Sequence, residues 1–156
     1  MSIASGGVLA VIPRLFCRCV EREINFCVAA FDAVEIVRRP GPDGTPAHAM
    51  ILLGPVRLFL DSEWPGLPSR APQQDGSSPL VMYVYVEDVE KTVGRAVAAG
   101  ARILRPIDNQ LWGDQIGWII DPEGHVWIIA TRIEEMPLAE IEKRWSAMLR
   151  KPESKG

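Results

Sequence analysis

The chain has 156 residues, 47% of them hydrophobic, and its 17 basic and 20 acidic side chains leave a formal charge of -3. That length and apolar content suffice for one compact domain and exclude a chain that is disordered throughout. No stretch clusters lysine and arginine with aromatics, which argues against a nucleic acid partner.

In chain order, residues 8–17 read as a strand. The apolar segment from Gly6 to Phe16 has no basic region before it and is interrupted by Pro13 and Arg14, so it reads neither as a signal peptide nor as a membrane span. Cys17 and Cys19 stand two apart, a spacing that does not let them bridge comfortably, and Cys27 makes the count odd. Reduced core thiols without a targeting segment place the chain in the cytoplasm. Val20, Ile24, Val28 and Phe31 follow helical spacing, with Cys19 a poor N-cap. Strands are then expected at Ala33 to Arg39, Ala47 to Leu53 and Val56 to Asp61, reversed at Pro40 to Gly44 and at Gly54-Pro55.

Residues 63–79 are rich in Pro, Ser, Gln and Gly without periodicity and read as a linker, with Trp64 at its start. Leu80 to Val86 alternates as a strand, placing Val81, Tyr83 and Tyr85 on one face. Val89, Val93 and Val97 form the next helix stripe, with Asp88 as N-cap and Gly100 as C-terminal cap. Strands follow at Ala101 to Arg105, Gln115 to Ile120 and His125 to Thr131, the last two joined by the tight turn Asp121 to Gly124. Leu138, Ile141, Trp145 and Met148 predict a helix over 137–149, with Pro137 in its first turn and Glu140 to Arg144 as a supporting pair. Residues 151–156 read as a disordered tail.

One phrase occurs twice. Val20-Glu-Arg-Glu-Ile-Asn-Phe-Cys-Val-Ala-Ala30 returns sixty-nine positions later as Val89-Glu-Lys-Thr-Val-Gly-Arg-Ala-Val-Ala-Ala99. A period of that length suits a supersecondary module. Modules 8–62 and 80–131 each read strand, helix, three strands, within a single domain spanning 1–150.

The run Trp112-Gly-Asp-Gln-Ile-Gly-Trp-Ile-Ile-Asp-Pro-Glu-Gly-His-Val-Trp127 resembles the closing hairpin of the vicinal oxygen chelate superfamily, which includes glyoxalase I, extradiol dioxygenases and bleomycin-resistance proteins. Within it the chain looks most like the PhnB-like branch, on the Trp-Gly-Asp and Asp-Pro-x-Gly-His-x-Trp pattern. Over the first module the likeness rests on the repeat, on Pro13 and on Ile24-Asn-Phe26. The resemblance implies an α+β fold of two βαβββ modules in a curled mixed sheet around a cleft, with the C-terminal helix added, and commonly a homodimer.

Metal-binding members of that superfamily carry ligands on the first and last strands of each module. Carried over, those positions fall at Ile12, Phe59, Val81 and Ile128, none of which has a lone pair for a metal. The expectation is therefore no metal and no cofactor. His48 is expected to bond a backbone group at the rim and His125 to brace its hairpin. If the four positions face the cleft, alternation brings Arg14, Phe16, Tyr83, Tyr85, Val126 and Ala130 to the same side. The expected ligand contacts are Arg14, Phe59, Tyr83, Tyr85, Trp112, Trp118 and Ile128, with Trp127 on the opposite side against a helix.

Three functions stay open at this point. One is a metal-free binding protein that sequesters an aromatic or amphipathic small molecule. Another is a lyase- or isomerase-type enzyme with relocated ligands, or with acid/base chemistry by His125, Tyr83 or Asp114. The third is a dimeric structural partner with a closed cleft. Neither nucleic acid nor membrane is expected as a partner.

Overall fold

A computed structural model of the chain describes residues 6–150. These form β1 (Arg14–Cys17), α1 (Val20–Phe31), β2 (Val34–Pro40), β3 (Pro46–Leu53), β4 (Val56–Ser62), β5 (Val81–Tyr85), α2 (Val89–Ala98), β6 (Arg102–Asn109), β7 (Asp114–Ile120), β8 (Val126–Arg132) and α3 (Leu138–Arg150). The chain divides into two compact units between Pro72 and Gln73, inside the expected linker. Each unit holds its own four-stranded sheet, ordered β1-β4-β3-β2 in the first and β5-β8-β7-β6 in the second. In both, the first strand pairs parallel with the fourth and the remaining pairs are antiparallel. The fold is thus α+β, two βαβββ modules followed by a helix. Among the described residues no helix is long and apolar enough to cross a membrane.

The repeated phrase forms the helix of each unit. In α2 the Asp88 side chain accepts from the Lys91 N–H at 3.0 Å, the expected N-cap. Cys19 makes no such bond in α1, where Glu21 and Glu23 lie in the first turn, the favourable end for negative charge. Gly100 takes φ +107°, and the Ala101 N–H bonds back to the Ala96 carbonyl at 3.0 Å, so the helix ends where glycine is needed. The buried stripes begin at the expected Val20, Ile24, Val89 and Val93 and then shift by one position in the last turns. Val20, Glu23, Ile24, Cys27 and Ala30 are buried in α1, while Val28 is half exposed; in α2 Val89, Val93 and Ala96 are buried, while Val97 is half exposed. A stripe stepping by four drifts around a helix of 3.6 residues per turn, and the sheet selects the face nearest its own axis.

Strand alternation then divides each sheet. In the first unit Leu15, Cys17, Ala49, Ile51, Leu58 and Leu60 are buried on the face that α1 covers. In the second, Gly117, Ile119, Trp127 and Ile129 face α2, as expected for Trp127, which is fully buried. A Cβ on Gly117 would lie 3.2 Å from Val93 and 3.1 Å from Ile107, so the helix sits close over this strand. The alternate residues of both sheets lie on faces that neither α1 nor α2 covers.

Two boundaries and one burial pattern differ most from expectation. β1 begins at Arg14, because Pro13 has no N–H for a ladder, although its carbonyl still accepts from the Phe59 N–H at 3.0 Å; Val8, Leu9 and Val11 before it are exposed. β6 runs on past Arg105 to Asn109, with register shifts on either side of Arg105 that accommodate Pro106. In α3 the expected apolar stripe exists but none of its residues is buried. The expected tail over 151–156 lies outside the described residues.

The β7–β8 hairpin is tied by one carboxylate. Asp121 Oδ1 accepts from the N–H groups of Glu123 (2.9 Å) and His125 (3.0 Å), and Oδ2 accepts from the Trp127 indole at 2.8 Å. His125 braces the hairpin through its backbone, its N–H donating to Asp121 Oδ1 and its carbonyl accepting from the Asp121 N–H at 2.9 Å. All these groups are buried, so Asp121→Ala leaves three donors without their acceptor and is expected to cost about 2 to 4 kcal/mol in urea unfolding. A loss within about 0.5 kcal/mol would show that the turn holds without it.

Candidate functional site

The open face of the second sheet is built on Ile116, Ile128 and Ala130, with Val81, Trp112 and Trp118 packed against them. Strand pairing sets Val81 beside Val126 and Tyr83 beside Ile128, and Trp118 beside Ile128 from the other flank. Arg105 from β6 lies over the Trp118 ring at 5.8 Å. Tyr83 and Tyr85 stand two apart on β5 with ring centroids 5.4 Å apart. Of the expected contacts, the structure thus gathers Tyr83, Tyr85, Trp112, Trp118 and Ile128 on one face. Val126, expected on the same side, is buried at the first pair of the ladder.

At one end of this face lies a carboxylate with no solvent exposure, Asp114. Its Oδ2 accepts from Tyr83 Oη (2.5 Å), Tyr85 Oη (2.7 Å) and Trp112 Nε1 (3.0 Å), and its Oδ1 from Arg132 Nε (2.5 Å). Arg132 Nη2 also donates to Tyr85 Oη at 2.8 Å, and Trp112 Nε1 to Tyr83 Oη at 3.2 Å. Register explains the meeting. Asp114 and Arg132 are cross-strand partners in the β7–β8 ladder, two pairs beyond Ile116 and Ala130 and so on the same face. Trp112 is brought in by a turn in which Gly113 takes φ +96° and its carbonyl accepts from Ile133 and Glu134 at 2.9 and 3.1 Å. A Cβ there would collide with the Glu134 carbonyl, so the turn requires glycine.

The electrostatics follow from this saturation. Burial opposes charge on Asp114 most strongly, but bonds from Tyr83, Tyr85, Arg132 and Trp112 together outweigh it and hold the carboxyl below the usual range. Burial and then donation to Asp114 push the Tyr83 phenol well up. The bond to Asp114, then that to Tyr85, raises the Arg132 guanidinium further. An ionised carboxylate with four donors is a weak base, and a phenol held this way is a weak acid. The cluster therefore fixes the aromatic rings rather than moving protons. Arg132 was absent from the sequence expectations, which ended the last strand at Thr131. The alternation Ile128, Ala130, Arg132 points to it.

The first sheet's open face carries different chemistry at equivalent places. Arg14 pairs with Phe59 just as Tyr83, sixty-nine residues on, pairs with Ile128. Arg14 is half exposed and donates to buried Asp61 through Nε (2.7 Å) and Nη2 (3.2 Å), with its guanidinium 5.3 Å above the Phe16 ring. His48 Nδ1 lies 2.8 Å from Asp61 Oδ1 and its ring meets Phe59 edge-on at 5.4 Å. The backbone partner expected of His48 is thus replaced by a carboxylate, because Asp61 is its direct neighbour on β4.

The four positions expected for metal ligands, Ile12, Phe59, Val81 and Ile128, offer hydrocarbon and one phenyl ring. Among the described residues no three His, Cys, Asp or Glu side chains come together as a ligand set. The nearest donors, Asp61 and Asp114, already have their oxygens engaged by arginine, imidazole, phenols and indole. These residues do not fit a metal at the family's place.

Residues 11–129 match the family model for the Glyoxalase/Bleomycin resistance protein/Dioxygenase superfamily. The chain is 36% identical over 141 residues to the uncharacterized proteins Mb0911c of Mycobacterium bovis and Rv0887c of Mycobacterium tuberculosis, covering 88% of this chain and 93% and 83% of theirs. Among solved structures it is similar to TioX from Micromonospora sp. ML1, with a TM-score of 0.63 and 26% identity over 80% of this chain and 99% of that one. It is also similar to the fosfomycin resistance protein FosX from Mesorhizobium loti, with a TM-score of 0.59 over 88% of this chain and 98% of that one. At 16% identity the second likeness shows the fold alone.

Because the folded chain holds Asp114 below its ordinary value, that group stabilises above the unfolded pKa of about 4 and stops doing so as pH falls through the lower folded value. Asp114→Asn is expected to cost about 2 to 4 kcal/mol at pH 7, since it leaves Arg132 and the phenols facing an amide. The gap to the native chain should narrow below about pH 4. A gap unchanged down to pH 3, measured by urea unfolding, would show that charge is not its source.

Proposed function

The chain belongs to the glyoxalase/bleomycin resistance protein/dioxygenase superfamily, and from that membership we propose that it is a small-molecule-binding protein that sequesters an aromatic or amphipathic ligand without a metal. The observation that carries this reading is the open face of the second sheet. There Trp112, Trp118, Tyr83 and Tyr85 surround Val81, Ile116 and Ile128, and Asp114 and Arg132 hold the two phenols and the indole in place. Rigid rings over an apolar floor suit a flat ligand, because little side-chain freedom is lost when it stacks. Arg14 and Phe59 are the contacts proposed on the first sheet, where a half-exposed guanidinium beside a phenyl ring suits an anionic substituent.

Other members of the superfamily are named as enzymes and as resistance proteins, so the family by itself does not choose between catalysis and binding. Binding is favoured by the apolar ligand positions and by the Asp114 cluster, whose groups are poorly matched to proton transfer near neutral pH. The same reading takes the protein as a cytoplasmic homodimer of the PhnB-like branch. Exposed Leu138, Trp145 and Leu149 on α3 are the surface a second copy would cover.

A thermal-shift screen of flat aromatic and cationic compounds should raise the melting temperature for at least one, with no loss of the shift after treatment with chelator. Trp118→Ala should weaken that ligand about tenfold or more. A stoichiometric transition metal in protein purified without chelators, or a screen with no stabilising compound, would overturn the proposal. Sedimentation at micromolar concentration should give twice the chain mass, and a single-chain mass would remove the dimer.

A further inference from the structure

Besides Arg14 and Phe59, already proposed as ligand contacts, the first sheet's uncovered face holds His48 and Asp61, which that reading leaves without a role. Pairing across the four strands gives one row reading Arg39, His48, Asp61, Phe16 and the next reading Val37, Met50, Phe59, Arg14. Asp61 is 2% exposed and is locked by Arg14 through two hydrogen bonds. A carboxylate oxygen only accepts, so the 2.8 Å contact calls for a proton on His48 Nδ1, and in the neutral ring the lone pair then stands on Nε2. The imidazole is a quarter exposed and its ring is steadied edge-on by Phe59. A carboxylate bonded to Nδ1 both orients an imidazole and stabilises the imidazolium formed when Nε2 takes a proton.

The groups that face His48 are Asp61 from β4, Arg39 from the adjoining β2, Arg14 from β1 by way of Asp61, and Arg57, two positions before Phe59 on the same side of β4. Three guanidinium groups against one carboxylate leave this face positive. Its floor of Phe59, Met50, Phe16 and Val37 is apolar. An apolar floor, a poised imidazole and surplus positive charge select a ring that carries one weakly acidic hydroxyl.

We propose that this face binds a small hydroxyaromatic, a phenol, whose ring lies on Phe59 and Met50 and whose hydroxyl proton passes to His48 Nε2. The O–H bond breaks with its electron pair left on oxygen, giving a phenolate and an imidazolium. Arg39 and the imidazolium stabilise the phenolate oxygen, and Asp61 accepts from the Nδ1–H, whose proton stays on the ring. The inference rests on the small-molecule-binding role and names a ligand class for it. His48, as the group that touches the reacting atom, is the residue that separates it from simple stacking.

The probe is 4-nitrophenol, whose phenolate absorbs visibly and whose binding is read separately by calorimetry. In the native protein the bound probe should ionise about one pH unit lower than free probe, a tenfold gain in the ratio of ionised to neutral probe. His48→Gln should lose that shift and, at pH values where the probe is ionised, weaken its binding by up to about tenfold, and Arg39→Gln should reduce the shift. Nitrogen-15 NMR of the histidines supplies a second readout: the Nε2 resonance should move from the neutral toward the protonated range as probe is added. Equal ionisation of bound probe in the native and His48→Gln proteins would overturn the role of His48 while leaving binding intact. Absence of heat at millimolar probe would overturn the phenol site, and the broader reading would still stand on any non-phenolic ligand found by thermal shift.

Discussion

Each unit has four strands and one helix packed on them, and everything specific about the molecule follows from that shortage. A sheet has two faces and α1 or α2 covers only one. Pleating delivers alternate residues to each side, so one set of side chains is compelled to be small, aliphatic and buried. The other set has neither α1 nor α2 against it, and there buried Ile116, Ile128 and Ala130 stand beside half-exposed Tyr83 and Arg14. On that second side the chain keeps apolar residues in the middle and closes the ends with carboxylate–arginine pairs, Arg14 with Asp61 and Arg132 with Asp114. Both carboxylates are buried and both guanidinium groups reach solvent, so each pair brings a charge under the sheet's rim while its partner stays hydrated.

The two units show how far one backbone plan tolerates chemical divergence. Ladder pairs that correspond across the repeat hold Arg14 with Phe59 in one unit and Tyr83 with Ile128 in the other; His48 with Asp61 stands where the second unit has Ile116 with Ala130. The helix-facing positions change little in character, aliphatic for aliphatic, with Gly117 and Trp127 exchanging volume between neighbouring strands. Packing constrains the covered face, whereas the open face is free to vary as long as its charges remain paired. A superfamily with unrelated activities on one scaffold is the expected outcome of that asymmetry.

How much of this the sequence makes legible depends on range. Elements governed by local rules are visible: the Asp88 cap, the Gly100 terminus, the Pro-Gly turns and the Tyr83–Tyr85 alternation need only a few neighbouring residues. The repeat and the closing hairpin identify the superfamily. What the sequence hides is pairing between distant residues. Asp61 meets His48 and Arg14, and Asp114 meets Tyr83, Tyr85 and Arg132, at separations of 13 to 47 residues. Val28 misleads because a stripe of every fourth residue looks like a buried face until the sheet selects a neighbouring one. The strand expected to end at Arg105 runs on to Asn109 because register shifts beside Arg105 accommodate Pro106, and such a shift is a tertiary event.

The parallel pairing of first and last strands also has a kinetic side. In the first unit β1 pairs only with β4, so Arg14 has no strand partner until Phe59 has been synthesised and delivered. The antiparallel pairs β2–β3 and β3–β4 are local and form quickly, whereas the edge that completes the sheet closes a long loop of chain. The same holds for β5 and β8. Each unit therefore acquires its outer strand, and with it Arg14 or the two tyrosines, last of all. Until then the edge of β4 or β8 offers unpaired backbone groups to any extended chain nearby, which makes the moment before closure the point at which crowding does most harm to this protein's yield.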